Sequence, residues 1–201
     1  MINEHAKPLS RLDYFLQFIS QPQAIASVAP SSQALGDAMM RHGRVAEANT
    51  VVEFGPGTGA ITQVICRTLK PGAAFLAIET NPKFVELISE HYPEVHVVED
   101  DALNVGKHLQ KLGLANCDVL ISGLPFAAFD DGIQTGLLDA AYEVLAPGGR
   151  FVTFTYIHSP LLPRGNRFRD KLVDKFGSVE RTPVIWRNLP PAFAYVALKP
   201  A

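Results

Sequence analysis

The stretch VVEFGPGTGAITQVI, residues 51–65, sets an apolar strand against a helix, with three glycines and a proline between them. Val51 and Val52 read as a buried strand, and Ile61, Val64 and Ile65 open a helical period. The joining Gly55-Pro56-Gly57-Thr58-Gly59 predicts a sharp turn whose bare backbone lets ligand atoms approach. In an open parallel sheet, ligands sit beyond the carboxyl ends of the strands, where the winding reverses. A dinucleotide asks there for G-x-G-x-x-G, with its pyrophosphate on the helix N-terminus. Here the glycines read G-x-G-x-G, and Glu53 just before the turn would repel a phosphate. S-adenosylmethionine has no phosphate and carries an ammonium and a sulfonium, so the same carboxylate becomes favourable.

Two later acids extend the pattern. Glu79 ends the strand-like FLAIET, where a carboxylate can accept hydrogen bonds from both ribose hydroxyls. Dinucleotide folds also place an acid there, so Glu79 alone does not discriminate. Asp100-Asp101-Ala102 follow the next strand, and an acid at that place can accept from the adenine amino group; Asp100 alone reads equally as a helix-capping acid. After the fourth strand, SGLPF at 122–126 is placed to approach a transferring methyl group. Ser122 and Gly123 supply small side chains and polar backbone there, and Leu124, Pro125 and Phe126 an apolar wall.

Around these motifs the chain alternates strands with helices. Strands are expected at 50–54, 74–78, 95–98, 117–122 and 151–156, and helices at 59–69, 82–91, 131–146 and 165–177. That rhythm predicts an α/β, Rossmann-like parallel sheet covered on both faces. Residues 178–187 and 193–198 are strand-like runs joined by only Asn188-Leu189-Pro190-Pro191, too short for a parallel crossover. The expected sheet is therefore seven-stranded and mostly parallel, with an antiparallel last strand. Residues 1–45 read as an N-terminal helical extension and 46–201 as the cofactor-binding domain. In the extension, Leu9, Leu12, Phe15, Leu16 and Ile19 form one apolar stripe, with Tyr14 and Phe18 on another side. Ser31 or Ser32 is placed to cap a second helix through Leu35 and Met39.

Composition bounds the function. The 201 residues are 47% apolar, enough for one packed domain. A net charge of -2 gives no global basic field, against a protein that relies on neutralising nucleic-acid phosphates. Cys66 and Cys117 lack metal-ligand spacing and read as reduced core thiols of a cytoplasmic protein, with no metal expected. Met1 to Pro8 is polar and shows no signal-peptide pattern, and no run of apolar residues is long enough to span a membrane.

Taken together the motifs resemble class I S-adenosylmethionine-dependent methyltransferases, and within them the soluble bacterial phospholipid N-methyltransferases. The matching pieces are FLQFISQPQAIASVAPSS, VVEFGPGTGAIT, AIETNP, DDA, SGLPF, LAPGGRFVTFTY and VIWRNLPPAFAYV, in order over most of the chain. The resemblance implies that Ser32, Glu53, Gly55, Gly57, Thr58, Gly59, Glu79, Asn81, Asp101, Ala102 and Ser122 hold the cofactor. It implies methylation of the phosphatidylethanolamine amine, in some members onward to phosphatidylcholine. Relatives that methylate ribosomal RNA adenine carry an Asn-led N-[LI]-[PA]-[YF] motif where this chain has Ser122-Gly123, and commonly an additional helical domain. RNA adenine methylation therefore stands as the alternative, beside a non-catalytic S-adenosylmethionine-binding protein of the membrane surface.

An aliphatic amine must be neutral to attack. With a pKa near ~10, its deprotonation at neutral pH costs roughly 4 kcal/mol. Burial beside a sulfonium lowers that cost by desolvation and like-charge repulsion. Tyr156, closing FVTFTY, reads either as a hydroxyl that orients the amine or as a core aromatic, and His158 as a nearby proton acceptor or an exposed loop residue. Arg164, Arg167, Arg169, Lys171 and Lys175 interleave with Phe168, Leu172 and Phe176. Such a basic amphipathic helix reads either as a contact for an anionic membrane surface or as a solvated face. Tyr14 and Phe18 are the second expected lipid contact, on a helix that reads equally as a lid. The expected location is the inner face of the cytoplasmic membrane.

Overall fold

Strands that are apolar at odd and even positions alike need cover on both faces, and the sheet obtains it. The computed structural model describes residues 30–161 and 163–201. Seven strands, β1 (Thr50–Phe54), β2 (Ala74–Glu79), β3 (His96–Glu99), β4 (Cys117–Ser122), β5 (Leu145–Tyr156), β6 (Ser178–Arg181) and β7 (Ala192–Leu198), form one sheet in the order β3-β2-β1-β4-β5-β7-β6. β1 to β5 pair in parallel, whereas β7 runs antiparallel to both β5 and β6. This is the expected Rossmann-like sheet with its reversed last strand.

The helices are α1 (Pro30–Gly43), α2 (Ala60–Thr68), α3 (Pro82–His91), α4 (Val105–Lys111), α5 (Asp131–Val144) and α6 (Pro163–Phe176). On one face Val51, Ala77, Ile121, Val152 and Ala194 pack against Leu35 and Met39 of α1, Val64 and Ile65 of α2, and Ile88 of α3. On the other, Val52, Leu76, Leu120, Phe151 and Phe193 meet Val105 and Leu109 of α4, Leu137 and Leu138 of α5, and Phe168, Leu172 and Phe176 of α6. The period-two alternation of the strands thus divides the core into two layers.

Several boundaries differ from the sequence reading. β5 begins at Leu145 rather than 151, because Gly148 and Gly149 conceal a segment that exchanges hydrogen bonds with Lys199. The regular ladder of the run 178–187 ends at Arg181: Thr182 N–H still donates to Ala194 O at 2.9 Å, but Ala194 N–H turns to Thr182 Oγ1 instead of a backbone carbonyl; the chain regains one bridge, Ile185 to Ala192. Helix α4 is short and glycine-containing, too brief for its periodicity to mark it in the sequence. α1 starts at Pro30, so Ser31 and Ser32 lie in its first turn rather than ahead of it. Of the expected extension, the described part is built into the domain core through Leu35, Met39 and Met40. Tyr14, Phe18 and the side chain of Ser32 lie outside the described residues.

Candidate active site

The carboxyl ends of β1, β2 and β4 are tied together by backbone. Gly55 N–H donates to Ile78 O at 2.9 Å, and Gly123 N–H to Phe54 O at 2.9 Å. At Gly123 a Cβ would stand 2.8 Å from Gly55 O, so only glycine lets the β4 end approach the turn this closely. Gly57 has φ +54°, and a Cβ there would meet nothing within 4 Å. A side chain at Gly57 would therefore project into open space above the turn, where a ligand would lie against the backbone.

Glu79, buried at the end of β2, fastens that turn. Its Oε2 accepts from Gly57 N–H at 3.1 Å, and its Oε1 accepts from Thr80 N–H at 2.8 Å and Asn81 N–H at 2.9 Å. Oε1 is committed to backbone, while a carboxylate oxygen has two lone pairs, leaving Oε2 room for one ribose hydroxyl. The expectation that Glu79 serves two hydroxyls is narrowed accordingly. Asn81, expected at the cofactor, caps α3 by accepting from Lys83 N–H at 3.0 Å.

Glu53 is the unusual group. It is fully buried, its Oε2 accepts from Thr62 Oγ1 at 2.8 Å, and its Oε1 has no partner. Desolvation pushes its pKa up to about 8, the Thr62 hydrogen bond opposing and the Glu79 charge reinforcing that rise. An orphaned buried carboxyl oxygen is costly unless something occupies it. A ligand bearing an ammonium would satisfy Oε1 and favour the ionised form. Together with the open cradle at Gly57 and the remaining capacity of Glu79, this donor and acceptor set fits S-adenosylmethionine.

Beyond β3, the two acids separate. Asp100 Oδ2 meets His108 Nε2 at 2.7 Å and its Oδ1 accepts from Asn104 Nδ2 at 2.8 Å, which holds its carboxyl down to about 2. It is engaged in fixing α4. Asp101 caps the following turn, its Oδ1 accepting from Leu103 N–H at 3.0 Å, with Ala102 buried behind it and Thr58 exposed on the glycine turn.

In SGLPF, Ser122 is buried, its Oγ accepting from Leu124 N–H at 3.3 Å, while Leu124 and Pro125 are partly exposed. Phe126 departs from expectation. Its ring is buried in the core, stacked at 4.4 Å on Phe168 with Phe151 edge-on, so it backs the site rather than walls it. Tyr156 is half-buried at the end of β5, its ring parallel to that of His158 at 5.7 Å and edge-on to Phe154. Burial raises its phenol above the ordinary value, and no described residue hydrogen-bonds its hydroxyl.

The basic run reads differently in three dimensions. Phe168, Leu172 and Phe176, expected to lie among membrane-facing cations, are buried in the core, and of the large apolar side chains of α6 only Val173 is exposed. Its cations turn to α5: Arg167 Nε pairs with Asp131 at 3.2 Å, Lys171 Nζ with Asp131 O at 2.7 Å, and Lys175 Nζ with Asp139 at 2.6 Å. Arg169 approaches Asp170 at 3.8 Å, and among the described residues Arg164 makes no ion pair. Arg167, Lys171 and Lys175 are thus engaged along the α5–α6 seam.

Two residues escaped the sequence reading. Thr62 supplies the only described partner of Glu53. Gln134, wholly buried, donates from Nε2 to Phe126 O at 2.8 Å and Phe129 O at 3.3 Å, holding the loop after β4. An amide amid the apolar positions of α5 was the available signal. Among the described residues no cluster of three metal-ligating side chains occurs, Cys66 and Cys117 are unpaired thiols, and no helix is long and apolar enough to cross a membrane.

Comparison with known proteins bears on this site. Residues 51–149 match a methyltransferase domain family. The ornithine lipid N-methyltransferase of Singulisphaera acidiphila is 35% identical over 189 residues, 91% of this chain and 94% of that protein. The ribosomal RNA small subunit methyltransferase A of Prosthecochloris aestuarii is 46% identical over 55 residues, only 27% of this chain and 20% of that protein. Among solved structures, the N-methyltransferase NodS of Bradyrhizobium japonicum superposes with a TM-score of 0.68 over 86% of this chain and 98% of that one, at 14% identity, a likeness of fold.

Proposed function

The chain belongs to the class I S-adenosylmethionine-dependent methyltransferases, and we propose that it methylates the primary amine of a membrane lipid. The observation that carries this reading is the end-to-end likeness to a lipid N-methyltransferase, 91% of this chain, against 27% for the RNA enzyme. Two acceptors follow from it. Phosphatidylethanolamine is the one implied by the sequence motifs, and ornithine lipid the one named in the relative. Both present a primary alkyl amine on the headgroup of an acylated lipid.

When bound, the cofactor supplies an electrophilic methyl group on its sulfonium. The chain's own residues do the rest. Glu53 offers Oε1 to the cofactor's ammonium, Gly57 gives bare backbone, and Glu79 Oε2 accepts one ribose hydroxyl. Asp101 stands at the adenine end. Ser122, Gly123, Leu124 and Pro125 border the place where amine and methyl meet. Leu124 and Pro125 exclude water, which favours the neutral amine and offsets part of the roughly 4 kcal/mol deprotonation cost. Tyr156, kept as a neutral phenol by burial, accepts an N–H of the amine and aims its lone pair. Alignment, rather than a strong base, is what the site contributes.

The test is to incubate the protein and S-adenosylmethionine with vesicles containing phosphatidylethanolamine, ornithine lipid or neither, and with ribosomal RNA, and to follow S-adenosylhomocysteine release. Release that depends on one amine lipid supports the reading and selects the substrate. Release with RNA alone would sink it.

A further inference from the structure

Seven large apolar side chains are exposed among the described residues, and four of them share one end of the sheet. Ile157 and Leu161 follow β5; Trp186 and Leu189 lie in the connection from β6 to β7. The two connections adjoin, because Tyr156 pairs with Ala192 and Ile157 N–H donates to Pro191 O at 3.1 Å. Since β7 is antiparallel, its beginning stands beside the end of β5, on the carboxyl side where Gly57, Glu79 and Ser122 lie.

This exposure is built rather than loose. Thr182 Oγ1 accepts from Ala194 N–H at 2.9 Å, Ile185 and Ala192 bridge, and Asn188 Nδ2 donates to Pro190 O at 2.6 Å. Within that anchored loop the usual preference is inverted: polar Asn188 is 6% exposed, while Trp186 is 72% and Leu189 79% exposed. Leu161, in the adjoining connection after β5, is 82% exposed. Charge adds a second, independent indication. The segments IHSPLLPR (157–164) and TPVIWRNLPP (182–191) contain Arg164, Arg187 and His158 but no Asp or Glu, in a chain of net charge -2.

We propose that this edge is a bilayer-insertion rim, in which Trp186, Leu189 and Leu161 enter the headgroup region of an anionic leaflet while Arg164 and Arg187 meet its phosphates. The inference rests on the lipid-amine reading, and it explains how a lipid amine reaches the site: the rim borders the carboxyl ends of β4 and β5. A tryptophan flanked by arginine suits the membrane–water interface, where the ring is half-solvated and the cation meets anionic headgroups. A basic amphipathic helix is not needed, since α6 spends its apolar face in the core.

Trp186 is the chain's single tryptophan, so its emission reports on the rim alone. The full chain is mixed with phosphatidylcholine vesicles, with or without phosphatidylglycerol, bearing bromines on their acyl chains. The expected result is a blue shift and quenching, stronger with phosphatidylglycerol. A Leu161→Ser, Leu189→Ser variant keeps the reporter and should partition at least about tenfold more weakly, with an unchanged melting temperature because both positions are exposed. Its methyl transfer to a short-chain, fully dissolved amine lipid should match the parent while transfer to vesicles falls. Unquenched Trp186, whether the protein binds vesicles or not, overturns the rim. So does a blue shift that follows protein concentration without lipid, which assigns the edge to a second copy. Quenching with no transfer to any amine lipid instead overturns the lipid-amine reading and leaves the rim standing.

Discussion

The β1–β2 side of the site and the β5–β7 side are built on opposite principles. On the first, the surface on offer is backbone and buried carboxyl groups: Gly57 N–H is held by Glu79 at 3.1 Å, and Glu53 is bonded to Thr62 at 2.8 Å with its other oxygen orphaned. On the second, the groups at the surface are apolar and exposed, Trp186 and Leu189 above all, on loops pinned from beneath by Thr182 and Asn188. A shared cofactor demands the same few atoms each time, so that half is polar and preorganised. An acceptor delivered from a bilayer asks for a surface that leaves water readily. The difference predicts separable defects: cofactor affinity on one side, acceptor delivery on the other.

Glu79→Ala should produce the largest single effect. It frees the Gly57 turn and takes away the proposed ribose acceptor, an expected cost of about 1.5–3 kcal/mol in S-adenosylhomocysteine binding by calorimetry, the range of charge-assisted bonds. Unchanged affinity in a folded Glu79→Ala protein would erase the polar half of the comparison.

Glu53→Gln sharpens it through pH. With a folded pKa of about 8 against its ordinary value of 4.5, Glu53 keeps its proton between those values while the unfolded chain has lost it. Stability should therefore fall as pH rises from 4.5 to 8, by an amount on the order of a few kcal/mol, and level off above. Thermal melts of Glu53→Gln should lack that slope. In the proposed site the ionised form meets the ammonium, so S-adenosylhomocysteine affinity should rise by roughly tenfold or more from pH 6 to 8 in the parent and stay flat in the variant. Parallel pH profiles for the two proteins would remove Glu53 from the site.

Trp186→Ser should leave S-adenosylhomocysteine affinity intact while lowering methyl transfer to vesicle-borne lipid by about tenfold, from the loss of one buried ring. A loss of cofactor affinity instead would join the two regions that the comparison keeps apart. The smallest effect belongs to Tyr156→Phe, which removes only the hydroxyl. Turnover should drop by roughly three- to tenfold, the worth of one hydrogen bond, with cofactor affinity unchanged. Equal turnover would make Tyr156 a packing residue beside Phe154.

The two regions were also unequally legible. The glycine turn, Glu53 and Glu79 stand in the local pattern of strand, turn and helix, and a bare backbone or a carboxyl at a strand end is a local requirement. Backbone pairing therefore follows from the same text: β1, β2 and β4 lie where the apolar runs stand. What a side chain meets across the fold is not local. Asn81 reads as a ligand until its cap on α3 is seen, and Phe126 as a wall until Phe168 is found stacked on it. The charges of α6 look free along the chain because Asp131 and Asp139, which take them, belong to the preceding helix. Trp186 was hidden in a strand-like run for a related reason: periodicity counts apolar residues and does not distinguish one that pairs from one that protrudes once the ladder has ended at Thr182.

The most direct measurement follows where the methyl group lands. Vesicles of phosphatidylethanolamine or ornithine lipid in phosphatidylglycerol, together with ribosomal RNA, are incubated with the protein and S-adenosylmethionine carrying a deuterated methyl group, and the products are fragmented by mass spectrometry. The label is expected on the headgroup nitrogen of the amine lipid, strongly reduced with Glu79→Ala and less so with Trp186→Ser. Label on RNA adenine, or on neither acceptor while the cofactor binds, would contradict it.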